Sequence, residues 1–288
     1  MLRLTPISQG RSIEFFLGRD NQLNSENIDQ FDLFDLRLVG TSENLSHYNS
    51  FKIFDPTQIY LGLNTKSERW KSKKDRCNFF SKLRPQHVIT QYGELGKLPV
   101  DFLPSGILGY SAQSTFKSPY LAANNSQLPK PNHNFCLSYL TLSVPKQYRA
   151  AYFEMIKELY PKAVPLEISV SKHFGKSFLD SKCDALIVGL KSNYLDAYEY
   201  LEMFSGTDIN FTGHSDPLLS KEIEMSQSIK DAQQRVAEYR RIIDKISDSC
   251  LVYPIVTIPM KEIYIRKGLE APDIGKGPLN EYYLGNVH

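Results

Sequence analysis

The stretch Cys183-Asp-Ala-Leu-Ile-Val-Gly-Leu-Lys-Ser-Asn-Tyr-Leu-Asp-Ala197 decides the reading of this chain. Residues 185–189 are a short, uninterrupted apolar run that predicts a buried strand. The strand opens after Gly189 into a polar loop and then an aromatic helix. A second helix carrying Arg235 follows, and it returns to the apolar run Leu251-Val-Tyr-Pro-Ile-Val-Thr-Ile-Pro259. Open α/β sheets place ligands in loops at the carboxyl ends of strands. Residues 190–196 are therefore the leading candidate site, with a plain connecting loop as the alternative. Within it Leu190, Asn193, Tyr194 and Asp196 are the candidate ligand-binding residues. Tyr194 suits stacking on a ligand and suits a core position equally well. Asp196 precedes an aromatic helix, a position that also suits an N-cap.

Working outward, apolar residues at Tyr148, Ala151, Tyr152, Met155, Ile156 and Leu159 recur at helical spacing, so a helix is expected there, ended by Pro161 and Pro165. Strands are expected over residues 59–63, 137–144, 166–170 and 185–189, with shorter ones at 12–17 and 35–39. Phe79, Phe80 and Leu83 mark a helix ended by Pro85. Ser143 is placed to cap the helix after it. Asp216-Pro217 reads as an N-cap with Pro at the first helical position. Asp231 with Gln234 reads as a capping box. The helix it opens has Ala232, Val236, Tyr239, Ile243, Ile246 and Cys250 on one stripe, as a helix lying on a sheet requires. Strands alternating with helices predict an α/β fold, a mixed or parallel sheet covered by helices. Residues 99–131 are rich in Pro, Gly, Ser and Asn and form a long loop. Such loops tend to carry function, which makes Tyr110 a further binding candidate and Phe102 a weaker one.

Composition excludes several functions. The 288 residues carry net charge +2 and a pI near 8.2, too mild to point to a nucleic-acid partner. The basic residues between Lys66 and Arg84 are interrupted by Glu68 and Asp75, and they read as a solvated helix face. The six histidines show no HxxxH or HExxH spacing, so no metal site is expected. No GxSxG elbow or GxxxxGK loop is present, and no catalytic residue or cofactor is expected. Residues 1–16 lack a cationic segment followed by an apolar run and are not read as a secretory signal. Cys77, Cys136, Cys183 and Cys250 form no CxxC. Cys183 and Cys250 lie in or beside apolar runs, where a buried free thiol is the default expectation. Spacing alone does not identify a disulfide, so the redox compartment stays open.

Five segments together resemble the bacterial family 5 extracellular solute-binding proteins, the oligopeptide-, dipeptide- and nickel-binding components of ABC transporters. Ile59-Tyr-Leu-Gly-Leu-Asn64 is similar to the family's strand that ends in Asn. Asp75-Arg-Cys-Asn-Phe-Phe-Ser-Lys-Leu-Arg84 stands where the family has an Arg-Gln-Ala helix. Pro104-Ser-Gly-Ile-Leu-Gly-Tyr110 is similar to a Pro-x-Gly-x-x-Gly-Tyr loop. Residues 184–197 and 235–254 match the strand with its loop and the Arg-containing helix with its strand.

The resemblance implies a periplasmic-binding-protein-like lobe over residues 56–265. Residues 1–55 would be a remnant of the first lobe and hinge side, and 266–288 a return segment to it. On this resemblance the chain would be the C-terminal portion of such a protein, either a fragment or a shortened gene product. It implies non-catalytic capture of a peptide or other small solute between two lobes. The implied partner is an ABC transporter permease, and the implied location is the periplasm or cell envelope. A cytoplasmic ligand-sensing domain of a transcription regulator with the same fold, or a degenerate non-binding interaction module, are the alternatives. Peptide-binding relatives carry Trp and Asp where Leu190 and Asn193 stand here, and that Asp pairs with the peptide's amino group. Asn cannot neutralise a buried ammonium, so weak binding of free-amino-terminus peptides is expected.

Overall fold

The structure is a computed structural model that describes residues 2–4, 13–15, 33–35, 47–93, 96–114, 116, 134–140, 144, 146–169, 173–192, 195–206 and 208–267. The chain divides into two compact units. One is Pro56–Pro259, and the other joins residues 1–55 to 260–288.

In the larger unit five strands form a mixed sheet in the order β8-β4-β7-β5-β6. These are β4 (Tyr48–Leu63), β5 (Phe135–Leu140), β6 (Ala163–Ile168), β7 (Ala185–Lys191) and β8 (Val252–Arg266). Strands β4 and β8 each run on into the smaller unit. There β1 (Leu2–Leu4) pairs with β2 (Ile13–Phe15), and β3 (Leu33–Asp35) pairs antiparallel with β8. Strand β7 is antiparallel to β4, with Ile59 opposite Gly189 and Gln58 opposite Leu190. Strand β5 is parallel to both β6 and β7. Ala185, Leu186, Ile187 and Val188 are fully buried. An apolar run without alternation is what a central strand covered on both faces requires.

Seven helices with described bounds surround this sheet: α1 (Lys73–Lys82), α2 (Gln86–Tyr92), α3 (Lys146–Lys157), α4 (Phe174–Asp180), α5 (Tyr198–Leu201), α6 (Pro217–Ser226) and α7 (Ala232–Ser249). The caps expected at Asp216 and Asp231 are present. Asp216 accepts from the amides of Leu218 and Leu219 with Pro217 at the first position, and Asp231 accepts from Gln234 N. On α7 the buried stripe is Tyr239, Ile242, Ile243 and Ile246. Ala232 is exposed and Val236 half-buried, so the stripe begins two turns later than the spacing suggested. Among the described residues no helix is long and apolar enough to cross a membrane.

Four sequence expectations are revised. The strand expected at 166–170 begins at Ala163 and includes Pro165. It is also not buried, with Val164 at 47% and Leu166 at 40% exposure. The reason is position: β6 is the outer strand of the sheet, where a missing amide costs no ladder bond. The strand expected at 137–144 is described as Phe135–Leu140, and Ser143 lies outside the described residues. The cysteines are not thiols. Cys77 is bonded to Cys250 and Cys136 to Cys183, and no described cysteine is free. Of the strand expected at 35–39 only Asp35 falls in β3, and residues 36–39 lie outside the described residues.

Packing between the elements is dense and aromatic. The ring of Trp70 meets those of Phe79 and Phe135, and Phe135 meets Tyr160. Gly62 on β4 has no room for a side chain, since a Cβ there would lie 1.9 Å from the ring of Phe211. At the far end of α7, Arg76 donates from Nε and Nη2 to Ser249 O at 3.1 and 2.8 Å. It thereby satisfies a carbonyl that a helix end leaves without a partner.

Candidate binding site at the carboxyl end of the central strand

Strand β7 delivers its last residues to one end of the sheet. Leu190, opposite Gln58, is half-buried and packs on the core. Ser192 is buried, and its amide donates to the Tyr200 hydroxyl at 3.2 Å. That hydroxyl donates in turn to Pro56 O on β4. The Ser192 hydroxyl donates to Asp196 O at 3.4 Å. The loop after β7 is therefore closed on itself and pinned to the neighbouring strand.

The long loop from Pro99 lies against it. Leu108 N donates to Leu195 O at 2.9 Å, and Leu108 forms a parallel bridge with Asp196. The Asp101 carboxylate organises this loop from inside, accepting from Phe102 N at 2.8 Å and Ser111 N at 2.9 Å. Arg240 of α7 donates to Asp101 Oδ2 at 2.6 Å, to Gly109 O at 3.0 Å and to Ser114 Oγ at 3.0 Å. The Tyr60 hydroxyl on β4 holds Phe102 O at 2.7 Å. A loop rich in Gly and Pro is thus fixed by one wholly buried carboxylate and one arginine.

Beside these loops is a recess of about 250 Å³ lined by Asp196, Tyr198, Glu199, Gln227, Arg235 and Tyr239. Asp196 Oδ1 accepts from Tyr198 N at 2.9 Å and from the Tyr239 hydroxyl at 2.5 Å. Arg235 Nη1 stands 3.8 Å from Asp196 Oδ2, an ion pair too long for a direct hydrogen bond. Arg235 Nε is buried and has no hydrogen-bond partner among the described residues. Burial raises the Tyr239 pKa, and the hydrogen bond to Asp196 raises it further, so the phenol stays a donor at neutral pH. Arg235 and Tyr239 are four residues apart on α7 and so face the same way. The recess therefore combines a carboxylate already holding two donors with a guanidinium that makes only a long ion pair to it.

Of the expected site residues, Asp196 lines the recess. It also accepts from the first amide of α5, although the N-cap position expected for it is held by Ala197. Leu190 and Tyr110 are half-buried against the core and do not line the recess. Phe102 is fully buried, with its ring against Tyr60 and Phe116. Asn193 and Tyr194 lie outside the described residues. Sequence reasoning passed over Arg235 and Tyr239 as recess residues. The available signal was an arginine one turn before a tyrosine, at the edge of the apolar stripe of α7. Among the described residues no group of three or more His, Cys, Asp or Glu is placed to hold a metal ion.

No protein-family model matches the chain, and no curated protein matches it in sequence. Solved structures do match in fold. A dipeptide-binding protein from Pseudoalteromonas, solved with Met-Leu, superimposes with a TM-score of 0.69 at 12% identity, covering 92% of this chain and 55% of that one. A putative peptide-binding protein AppA from Clostridium difficile gives 0.67 at 18% identity, covering 96% and 60%. OppA from Haemophilus influenzae, in complex with the peptide RPPGFSPFR, gives 0.65 at 15% identity, covering 92% and 56%. The chain thus spans a little over half the length of these relatives. At such identities the likeness is one of fold, and the chain has the α/β fold found in part of the peptide-binding proteins of this class.

Proposed function

We propose that this chain is the binding portion of a non-catalytic solute-binding protein of an ABC-type importer. It would capture a peptide or other small solute and hand it to a membrane permease, working in the periplasm or cell envelope. The fold shared with peptide-binding proteins supports this reading. The observation that carries it to a site is Arg235, a partly exposed cation that lines a small recess and stands 3.8 Å from Asp196, beyond direct hydrogen-bond distance. A guanidinium in that state suits a solute offering an acceptor, above all a carboxylate. Asp196 suits an ammonium poorly, because Tyr198 N, the Tyr239 hydroxyl and Arg235 already surround its charge. The preferred solute is therefore one recognised through an acceptor group and not through a cationic amino terminus.

A thermal-shift screen of the unmodified protein against amino acids, peptides with free and blocked amino termini, sugars and metal salts tests this. A ligand that binds only the native state raises the apparent melting temperature, by an amount that grows with the logarithm of its concentration above Kd. The expected hit carries a carboxylate, and Arg235→Ala weakens it by about 10- to 150-fold, the worth of a charge-assisted hydrogen bond. A hit unaffected by Arg235→Ala removes the recess from the reading. No shift with any class removes solute capture.

A further inference from the structure

The two disulfides are nested: the first cysteine pairs with the fourth, Cys77–Cys250, and the second with the third, Cys136–Cys183. Their Cα–Cα distances are 5.2 and 4.7 Å, within the range that a disulfide spans. Cys250 closes α7 in a left-handed conformation, and Cys77 lies on α1, so that bond ties two helices to the start of β8. The other ties the start of β5 to the residue preceding Asp184 and β7. Both cysteines of the Cys77–Cys250 bond are buried, so reductants reach that bond only when the chain opens, whereas Cys136 of the other bond is half-buried.

Nesting has a chemical consequence. A chain oxidised as it emerges joins cysteines in order of appearance, giving Cys77 with Cys136 and Cys183 with Cys250. Neither bond belongs to the fold, and both must be exchanged. We propose that this chain matures outside a thiol-reducing compartment, as a substrate first of dithiol oxidation and then of a thiol–disulfide isomerase. In the first step each pair of thiols gives two protons and two electrons to a disulfide-bearing oxidant, which leaves as its dithiol. The second step is redox-neutral. An isomerase thiolate attacks Cys136 Sγ, forms a mixed disulfide and releases the Cys77 thiolate. That thiolate attacks Cys250 Sγ, forms the native Cys77–Cys250 bond and releases the Cys183 thiolate. The Cys183 thiolate then attacks Cys136 Sγ, forms the second native bond and returns the isomerase thiolate.

The test makes the full chain by cell-free translation in an oxidising glutathione buffer, with and without a catalytic amount of purified disulfide isomerase, so that the cysteines meet the oxidant in order. Samples are quenched by alkylation, digested without reductant and mapped by mass spectrometry. The expected result is early peptides linked through Cys77–Cys136 and Cys183–Cys250, converting to the nested pairs several-fold faster with isomerase. The variants Cys77→Ser with Cys250→Ser, and Cys136→Ser with Cys183→Ser, hold one native pair each and gain nothing from isomerase. Should either variant fail to fold, the peptide map of the unmodified chain decides alone. Four alkylatable thiols in the completed protein overturn the proposal. So do native pairs that form without mispaired peptides and at the same rate in both arms.

Discussion

Replacing Arg240 by Leu removes the cation paired with the wholly buried Asp101 carboxylate. Three contacts are lost, to Asp101 Oδ2 at 2.6 Å, Gly109 O at 3.0 Å and Ser114 Oγ at 3.0 Å. The amides of Phe102 and Ser111 still bind the carboxylate, but its charge is left without a counter-charge. Removing one partner of a buried pair costs about 3–5 kcal/mol. At about 2–4 °C per kcal/mol for a domain of this size, the melting temperature falls by roughly 6–20 °C. Trp70, the one tryptophan of the chain, is buried in the larger unit, so its fluorescence reports on that unit during urea unfolding. The double variant Asp101→Asn with Arg240→Gln should lose less than the sum of the two single changes, by about 0.5–3 kcal/mol. A loss below about 1 kcal/mol for Arg240→Leu, or strict additivity in the double variant, refutes the claim that this pair holds the 99–114 loop in place.

Three further outcomes are expected. Peptides with a free amino terminus bind at least about two orders of magnitude more weakly than a buried carboxylate would allow, and Asn193→Asp restores binding in calorimetry with di- and tripeptides. Breaking Cys77–Cys250 by Cys→Ser destabilises more than breaking Cys136–Cys183. The sequence separations are 173 and 47 residues, and chain entropy gives about 5 and 4 kcal/mol respectively in chemical denaturation. Burial, with the Arg76 cation nearby, lowers the His214 pKa below its ordinary 6.5, so the unfolded chain takes that proton first as pH falls. The His214 contribution is therefore full above 6.5 and is lost as pH drops through the folded value. Melting curves of His214→Asn should show a shallower decline with acidification than those of the unmodified protein.

Local features were legible in the sequence and pairings across the chain were not. The apolar run 185–188 announced a central strand because no face of it needs to meet water. Asp216-Pro217 and Asp231 announced helix starts because capping is a short-range bargain between a side chain and the next amides. Pro165 misled, since a proline argues against a strand unless the strand is an outer one, and order within a sheet is set by distant residues. The disulfides were hidden for a similar reason: buried cysteines in apolar runs look the same bonded or free. Asp196 was found from its place after a strand. Arg235 and Tyr239 belong to a helix read for its apolar stripe, and only the fold brings their polar ends to Asp196.

The most direct test of solute capture at this site is amide hydrogen exchange with and without a saturating ligand from the thermal-shift screen. Ligand binding slows exchange where local opening is suppressed. The account predicts protection concentrated in residues 101–114, 190–200 and 232–240, the loops and helix that surround Asp196 and Arg235. Protection confined to other parts of the chain, with these three segments unchanged, would contradict it.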